Sequence, residues 1–334
     1  MVYRILIIIL AISTLLACEK AFMPKEPENT NENNFEHLWK TLDEKYSLFE
    51  FKGINWDSLY LEYSSRINED MSDPELFRVL ASMMYELNDG HVNLIAPANV
   101  SRNWNFKLQS PENFSYTIIE RHYLKDSYES TGGFRHNWLG ETAYLYFSSF
   151  NSGVSSQQMN YIMGKYKDAS GFIIDIRDNG GGSTTVAEFI ASSFIIEGDE
   201  PLNIRFKKGP EQDDFGEANA VEISPRFSSF NKPVAILINR SSYSAANYFY
   251  ALMKDQPHTR SFGDTTGGGA GYPVYNELPI GWTFRYSTTL SETKNGLITE
   301  AGLAPDEIVY FSDENLTENI DPIIERAKKW IENQ

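Results

Sequence analysis

The chain has 334 residues, with 46 Asp and Glu against 29 Lys and Arg, for a formal net charge of -17. A surface this acidic repels a phosphate backbone, which argues against nucleic acid as a partner. Its one cysteine, Cys18, rules out a disulfide framework and keeps thiol or zinc-thiolate chemistry out of the body of the chain.

The opening "MVYRILIIILAISTLLAC" carries Arg4, an apolar run from residue 5 to 16, then Ala17 and Cys18. This is the pattern of a secretory signal, and the run is short for a membrane span. "LLAC" resembles the bacterial lipobox, which implies removal of residues 1–17 and a lipid on Cys18; a plain signal peptide or an uncleaved anchor is the alternative. Cleavage removes only Arg4 among the charges, so the mature form carries -18. Glu19, in place of aspartate, resembles the sorting signal of outer-membrane lipoproteins. Residues 18–34 are polar, contain proline and lack an apolar period, which suits a tether from the lipidated cysteine.

Residues 35–88 read as a small helical module in three pieces. The third has Ser72 and Glu75 as a capping box and Pro74 in its first turn. Leu76, Leu80, Met83 and Leu87 recur on one face and are expected in a core. Residues 89–334 read as one α/β domain. "NDGHVNLI" is a turn entering a strand, and residues 96–141 have no clear assignment. From there strands at 142–150, 171–178 and 233–240 alternate with helical stretches, which predicts a mainly parallel sheet. A closing helix is expected over 315–332.

Two glycine clusters follow strands. "DIRDNGGGSTT" turns backbone N–H groups outward at a helix start, which suits a negative oxygen, but it lacks both the G-K-[ST] ending and dinucleotide spacing. It reads as an oxyanion hole or as a tight turn. The second, "GDTTGGGAGYP", reads as a close backbone approach or a flexible loop. "NRSSYSAANYFYAL" places serines between a strand and a helix, where serine serves as N-cap or as nucleophile. Of five histidines only His91 sits in a glycine-flanked turn before a strand, and no metal-ligand spacing such as H-E-x-x-H occurs. Neither a metal nor a cofactor is expected.

"LNDGHV", "AYLYFSSF", "GFIIDIRDNGGG", "PVAILINRSSYSAANYF", "GDTTGGGAG" and "GLAPD", in this order, resemble the tail-specific or C-terminal-processing serine peptidases, including their tricorn-type relatives, over about residues 35 to 310. The resemblance implies a crotonase-like α/β core and a substrate that is an extended or unfolded peptide. Laid on the family's S-A-S-A-S-E motif, "SYSAAN" implies Ser244 as nucleophile, with Ser241 and Ser242 as turn or capping residues. It further implies the N–H groups of Gly181 and Ala245 as oxyanion donors.

Three features depart from the family pattern. Gly269 stands where many members carry the lysine of a Ser–Lys dyad. The tricorn-like branch uses a histidine instead, which implies His91 as base and Glu300 as the carboxylate of its orienting network, although Gly90 replaces a hydroxyl residue. The 96–141 interval is also too short for the usual PDZ module. Two further readings stand beside an envelope-anchored peptidase: a non-catalytic binding or scaffold protein, as among the retinoid-binding relatives, and an acyl-thioester enzyme, which export from the cytoplasm disfavours.

Overall fold

The computed structural model describes residues 27–227 and 230–334. The expected signal segment, Cys18 and most of the expected tether lie outside the described residues. The first helix, α1 (Asn31–Lys45), starts four residues before the expected 35, because Thr30 caps it by accepting from Asn33 N. Asn34 is fully buried and its Oδ1 accepts from Ile280 N, so the end of the expected tether is already packed. The helices α2 (Phe49–Lys52), α3 (Trp56–Ser64) and α4 (Asp73–Tyr85) follow. The capping box of Ser72 and Glu75 is present, and Leu76, Leu80, Met83 and Leu87 are fully buried.

These helices share one core with a four-stranded antiparallel sheet in the order β11 (Pro273–Glu277), β12 (Thr283–Ser287), β1 (Asn93–Ala96), β2 (Asn99–Val100). Phe35, Leu38, Trp56 and Leu80 meet Leu94, Trp282 and Phe284 in it. The helical segment thus reaches, through β1 and β12, the loop that carries His91.

The main sheet has seven strands, ordered β14 (Glu307–Ile308), β10 (Thr259–Gly263), β9 (Val234–Ile238), β6 (Gly171–Asp175), β5 (Thr142–Phe147), β4 (Phe134–Leu139), β3 (Glu129–Thr131). From β14 to β5 every pairing is parallel, and only the β5–β4–β3 edge is antiparallel. β5, β6 and β9 are buried at every residue, because helices cover both faces. Val234, Ile236 and Ile238 of β9 face helices α7 (Ser156–Lys165), α8 (Thr184–Ala191) and α9 (Ala245–Met253). Ala235 and Leu237 face the opposite layer, formed by residues 118–124 and the last helix. A third, antiparallel sheet is ordered β13 (Thr289–Thr293), β7 (Asp199–Phe206), β8 (Asn219–Ile223).

Residues 96–141, unassigned from sequence, hold β2, a one-turn helix at Asn105–Leu108, helical turns over Tyr116–Leu124 and the β3–β4 hairpin. The expected single closing helix is two helices, α10 (Asp313–Glu318) and α11 (Pro322–Ile331). Asn319 ends the first in the left-handed region at φ 57, and Asp321 caps the second with Pro322 at its start.

Asp321 also accepts from Arg177 just beyond β6, and Arg177 forks onto Asp175 at 2.6 Å and 3.0 Å; all three are fully buried. A buried guanidinium needs both carboxylates to offset its desolvation. Asp321→Ala should therefore cost about 3 kcal/mol or more in denaturant unfolding. A loss under about 1 kcal/mol would contradict this account of how α11 is held.

Candidate active site

Ligand sites in parallel α/β sheets gather at the carboxyl ends of strands. Here the neighbouring strands β6 and β9 end side by side. After β6 comes the Gly180–Gly181–Gly182 turn, and after β9 the Ser241–Ser242–Tyr243–Ser244 turn into α9. The two turns are joined by Tyr243 N donating to Asn179 O at 3.0 Å, and Ser244 N donates to Gly268 O of the second glycine cluster at 2.8 Å. Ser244 is thereby held at φ 57 and ψ -121, a region that costs a non-glycine residue on the order of 1–3 kcal/mol.

Such strain at a strand-to-helix turn projects the side chain out of the backbone's own reach. Ser244 occupies the N-cap position of α9 but makes no side-chain capping bond. Its Oγ lies 3.1 Å from Nε2 of His91, 153 residues away in sequence. Ser242, by contrast, is fully buried and spends its hydroxyl on Ile176 O and Asn239 N.

His91 is held through its backbone. Asp89 Oδ1 accepts from His91 N at 2.7 Å, while Asp89 Oδ2 accepts from Tyr46 at 3.1 Å and Ser287 at 3.0 Å. The His91 carbonyl accepts from Arg285 Nε at 2.9 Å. Its ring sits edge-on to Tyr243 at 5.0 Å, and Phe106 stacks behind Tyr243 at 4.3 Å. Burial pushes the His91 pKa down to about 4; Arg285 and Lys52 add to the shift, and Asp89 and the Gly271 backbone oppose it. The ring is therefore neutral at pH 7 and free to accept a proton.

Glu300 does not touch His91. Its Oε1 pairs with Lys52 at 3.1 Å, and its Oε2 accepts from Ala270 N at 2.8 Å. Glu300 thus fixes the 268–271 loop at Ala270, while His91 Nδ1 is buried without a hydrogen-bond partner among the described residues. Burial pushes its carboxyl up to about 7, with the charge of Asp89 adding and Lys52 and the Ala270 N–H opposing.

Tyr243 accounts for two of the departures from the family pattern. A Cβ on Gly269, which sits at φ 71, would fall inside the Tyr243 ring, and a Cβ on Gly90 would lie 2.7 Å from its hydroxyl. One aromatic ring fills the space that side chains from both positions would need. No lysine at 269 fits beside it.

The two expected oxyanion donors differ. Ala245 N, at the start of α9, has no acceptor among the described residues, so its N–H is uncommitted. Gly181 N donates to Asn179 Oδ1 at 2.9 Å, because the Asn179 side chain folds back onto the turn. The N–H groups of Gly180 and Gly182 have no acceptor among the described residues, and both glycines line the cleft. Gly181 packs directly against the Ser241–Ser244 turn, its Cβ position 2.7 Å from Ser244 Cβ.

The cleft over these groups measures about 770 Å³. Its walls include Trp104, Phe106 and Lys107 from the previously unassigned interval, and Lys107 pairs with Asp178 at 3.2 Å across the rim. Asp89, Lys52, Arg285 and Phe106 were not singled out from sequence. The Asp89–x–His91 spacing of a side chain bonding two residues on is the one local signal for any of them. His136, the other histidine pushed down to about 4 by burial, bonds Tyr166 and Thr131 and is structural. Among the described residues no group of three or more His, Cys, Asp or Glu is placed to hold a metal ion.

The model of peptidase family S41 matches residues 141–309, and that of the tricorn protease C1 domain matches residues 27–85. The carboxy-terminal processing protease CtpA of Bacillus subtilis is 26% identical over 140 residues, which is 42% of this chain and 28% of that protein. The chain spans a third or less of the length of such curated relatives. A presumed peptidase from Parabacteroides merdae, known from its crystal structure, is 38% identical with a TM-score of 0.87, covering 91% of this chain and 97% of that one. The photosystem II D1 C-terminal processing protease shares the fold at 15% identity and a TM-score of 0.54, over 84% of this chain and 93% of that one.

Gly269→Lys should lower the melting temperature by several degrees, the effect of roughly 1–3 kcal/mol of overpacking and strain. Adding Tyr243→Ala should recover part of the loss by opening the ring's space. A single Gly269→Lys variant as stable as the parent would contradict the packing described.

Proposed function

Because the chain belongs to peptidase family S41, we propose that it is a serine peptidase with Ser244 as nucleophile and His91 as general base. The observation that carries this reading is the Ser244 Oγ to His91 Nε2 contact at 3.1 Å, made by a serine that is not capping its helix. As Oγ bonds to the scissile carbonyl carbon, its proton passes to Nε2. His91 then gives that proton to the leaving amine as the C–N bond breaks. A water, deprotonated by the same nitrogen, releases the acyl group and restores the serine.

The carbonyl oxygen becomes negative in this step and needs preorganised donors. The Ala245 N–H supplies one. Gly181, sharing its N–H with Asn179 Oδ1, or the uncommitted Gly182 supplies the other. Glu300 serves as a positioning residue, through its hold on Ala270 of the 268–271 loop. Extended or unfolded peptides suit the open cleft as substrates. In a division into a helical module over 35–88 and a peptidase domain over 89–334, Tyr46 of the first bonds Asp89 of the second and Lys52 pairs with its Glu300.

Cys18 would carry the lipid that tethers the folded part to the cell envelope, outside the cytoplasm and on the outer membrane. Among the described residues no helix is long and apolar enough to cross a membrane. A binding or scaffold protein on the same fold is the second reading, favoured by the missing lysine and by the lack of contact between Glu300 and His91.

Digestion of a denatured protein mixture, with new termini mapped by mass spectrometry, separates the two readings. The parent chain should generate new termini, and Ser244→Ala and His91→Ala should reduce cleavage by about a thousandfold or more. Identical peptide patterns from parent and Ser244→Ala would favour the scaffold. On a mapped substrate, kcat/KM should hold from neutral pH to about 5 and fall as His91 protonates near 4. A fall near 7 would instead make ionised Glu300 essential.

A further inference from the structure

The cleft of this acidic protein holds a cation that no carboxylate among the described residues reaches at ion-pair distance. Arg285, half-buried in the middle of β12, lines the cleft beside His91. Its Nε donates to His91 O at 2.9 Å and its Nη2 to Gly90 O at 3.3 Å. Among the described residues Nη1 has no acceptor, and no carboxylate pairs with the guanidinium. Its cross-strand neighbours are Asn93 and Tyr275, neither of them charged. The other two charged residues lining the cleft, Lys107 and Asp178, pair with each other at 3.2 Å.

A guanidinium anchored by two N–H groups, with the rest facing a cavity, is preorganised to receive a carboxylate. Its position also selects a side of the substrate. His91 must protonate the leaving amine, so the leaving segment passes His91, and Arg285 grips the carbonyls of residues 90 and 91. We propose that Arg285 binds a substrate carboxylate on the leaving-group side of the scissile bond, from an Asp or Glu side chain or from the substrate's own C-terminus. This makes Arg285 a specificity-determining residue, and it rests on the peptidase reading above.

The alternative, that Arg285 only braces the His91 loop, affects all substrates alike. The test therefore reads a ratio. A peptide spanning a cleavage site mapped in the protein digest is made in four forms, with the leaving side carrying Glu, Gln or Lys under an amidated C-terminus, or Gln with a free C-terminus. The full chain should prefer Glu to Gln by roughly tenfold or more in kcat/KM, the effect of one charge-assisted bond. If the C-terminal carboxylate is the source, the free-acid Gln peptide shows that preference over its amide instead.

Arg285→Gln should bring the ratio close to one, Arg285→Lys should keep part of it, and Arg285→Glu should turn the preference toward Lys. A gain of Lys-peptide cleavage cannot arise from misfolding. A parent ratio near one for both carboxylate sources, or a ratio that survives Arg285→Gln, overturns the subsite while the peptidase stands. No cleavage of any peptide or of the protein mixture by the parent chain overturns both.

Discussion

The site depends on one backbone joint, the passage from β9 into α9 through Ser244 at positive φ. Hydrogen bonds to Asn179 O and Gly268 O hold that joint from two sides, each from a glycine-rich loop at the carboxyl end of the sheet. Locally the conformation is unfavourable, so it persists only because both loops are themselves fixed. Its result is a hydroxyl turned away from the helix it would otherwise cap and toward an imidazole from the other half of the chain.

From that joint follows the choice of base. Tyr243 precedes Ser244, and its ring must go somewhere once the serine is fixed. It fills the space above Gly269 and Gly90, which leaves no room for a lysine from the 268–271 loop and presents an aromatic edge to His91. The proposed base therefore comes from the turn before β1. That turn in turn leans on the N-terminal helices, through Tyr46 on Asp89 and through Lys52 on Asn88 O. A helical segment that looks separate in sequence is part of the wall that keeps the imidazole in place.

What sequence could show followed from what is local. β5, β6 and β9 are short apolar runs bounded by turns, and the Ser72 capping box and the glycine and serine turns are written in adjacent residues. The pairing of His91 with Ser244 came from the order of motifs, not from spacing. The contacts among Tyr46, Asp89 and Ser287, and between Lys52 and Glu300, join segments roughly 40 to 250 residues apart and leave no periodic trace. Residues 96–141 resisted assignment because they form short turns and a hairpin packed on other elements. The break at Asn319 was hidden because Asn and Asp in a helical pattern carry little weight until the chain bends.

The most direct measurement is covalent trapping of the nucleophile. The purified chain is treated with a fluorophosphonate, and the adduct is located by intact mass and peptide mapping in the parent, Ser244→Ala and His91→Ala forms. One adduct on Ser244, absent from Ser244→Ala and strongly slowed in His91→Ala, is the predicted result, because only a serine whose proton is taken by a neighbouring base attacks such a reagent quickly. No adduct, an adduct on another serine, or labelling of Ser244 at the same rate without His91 would contradict the account.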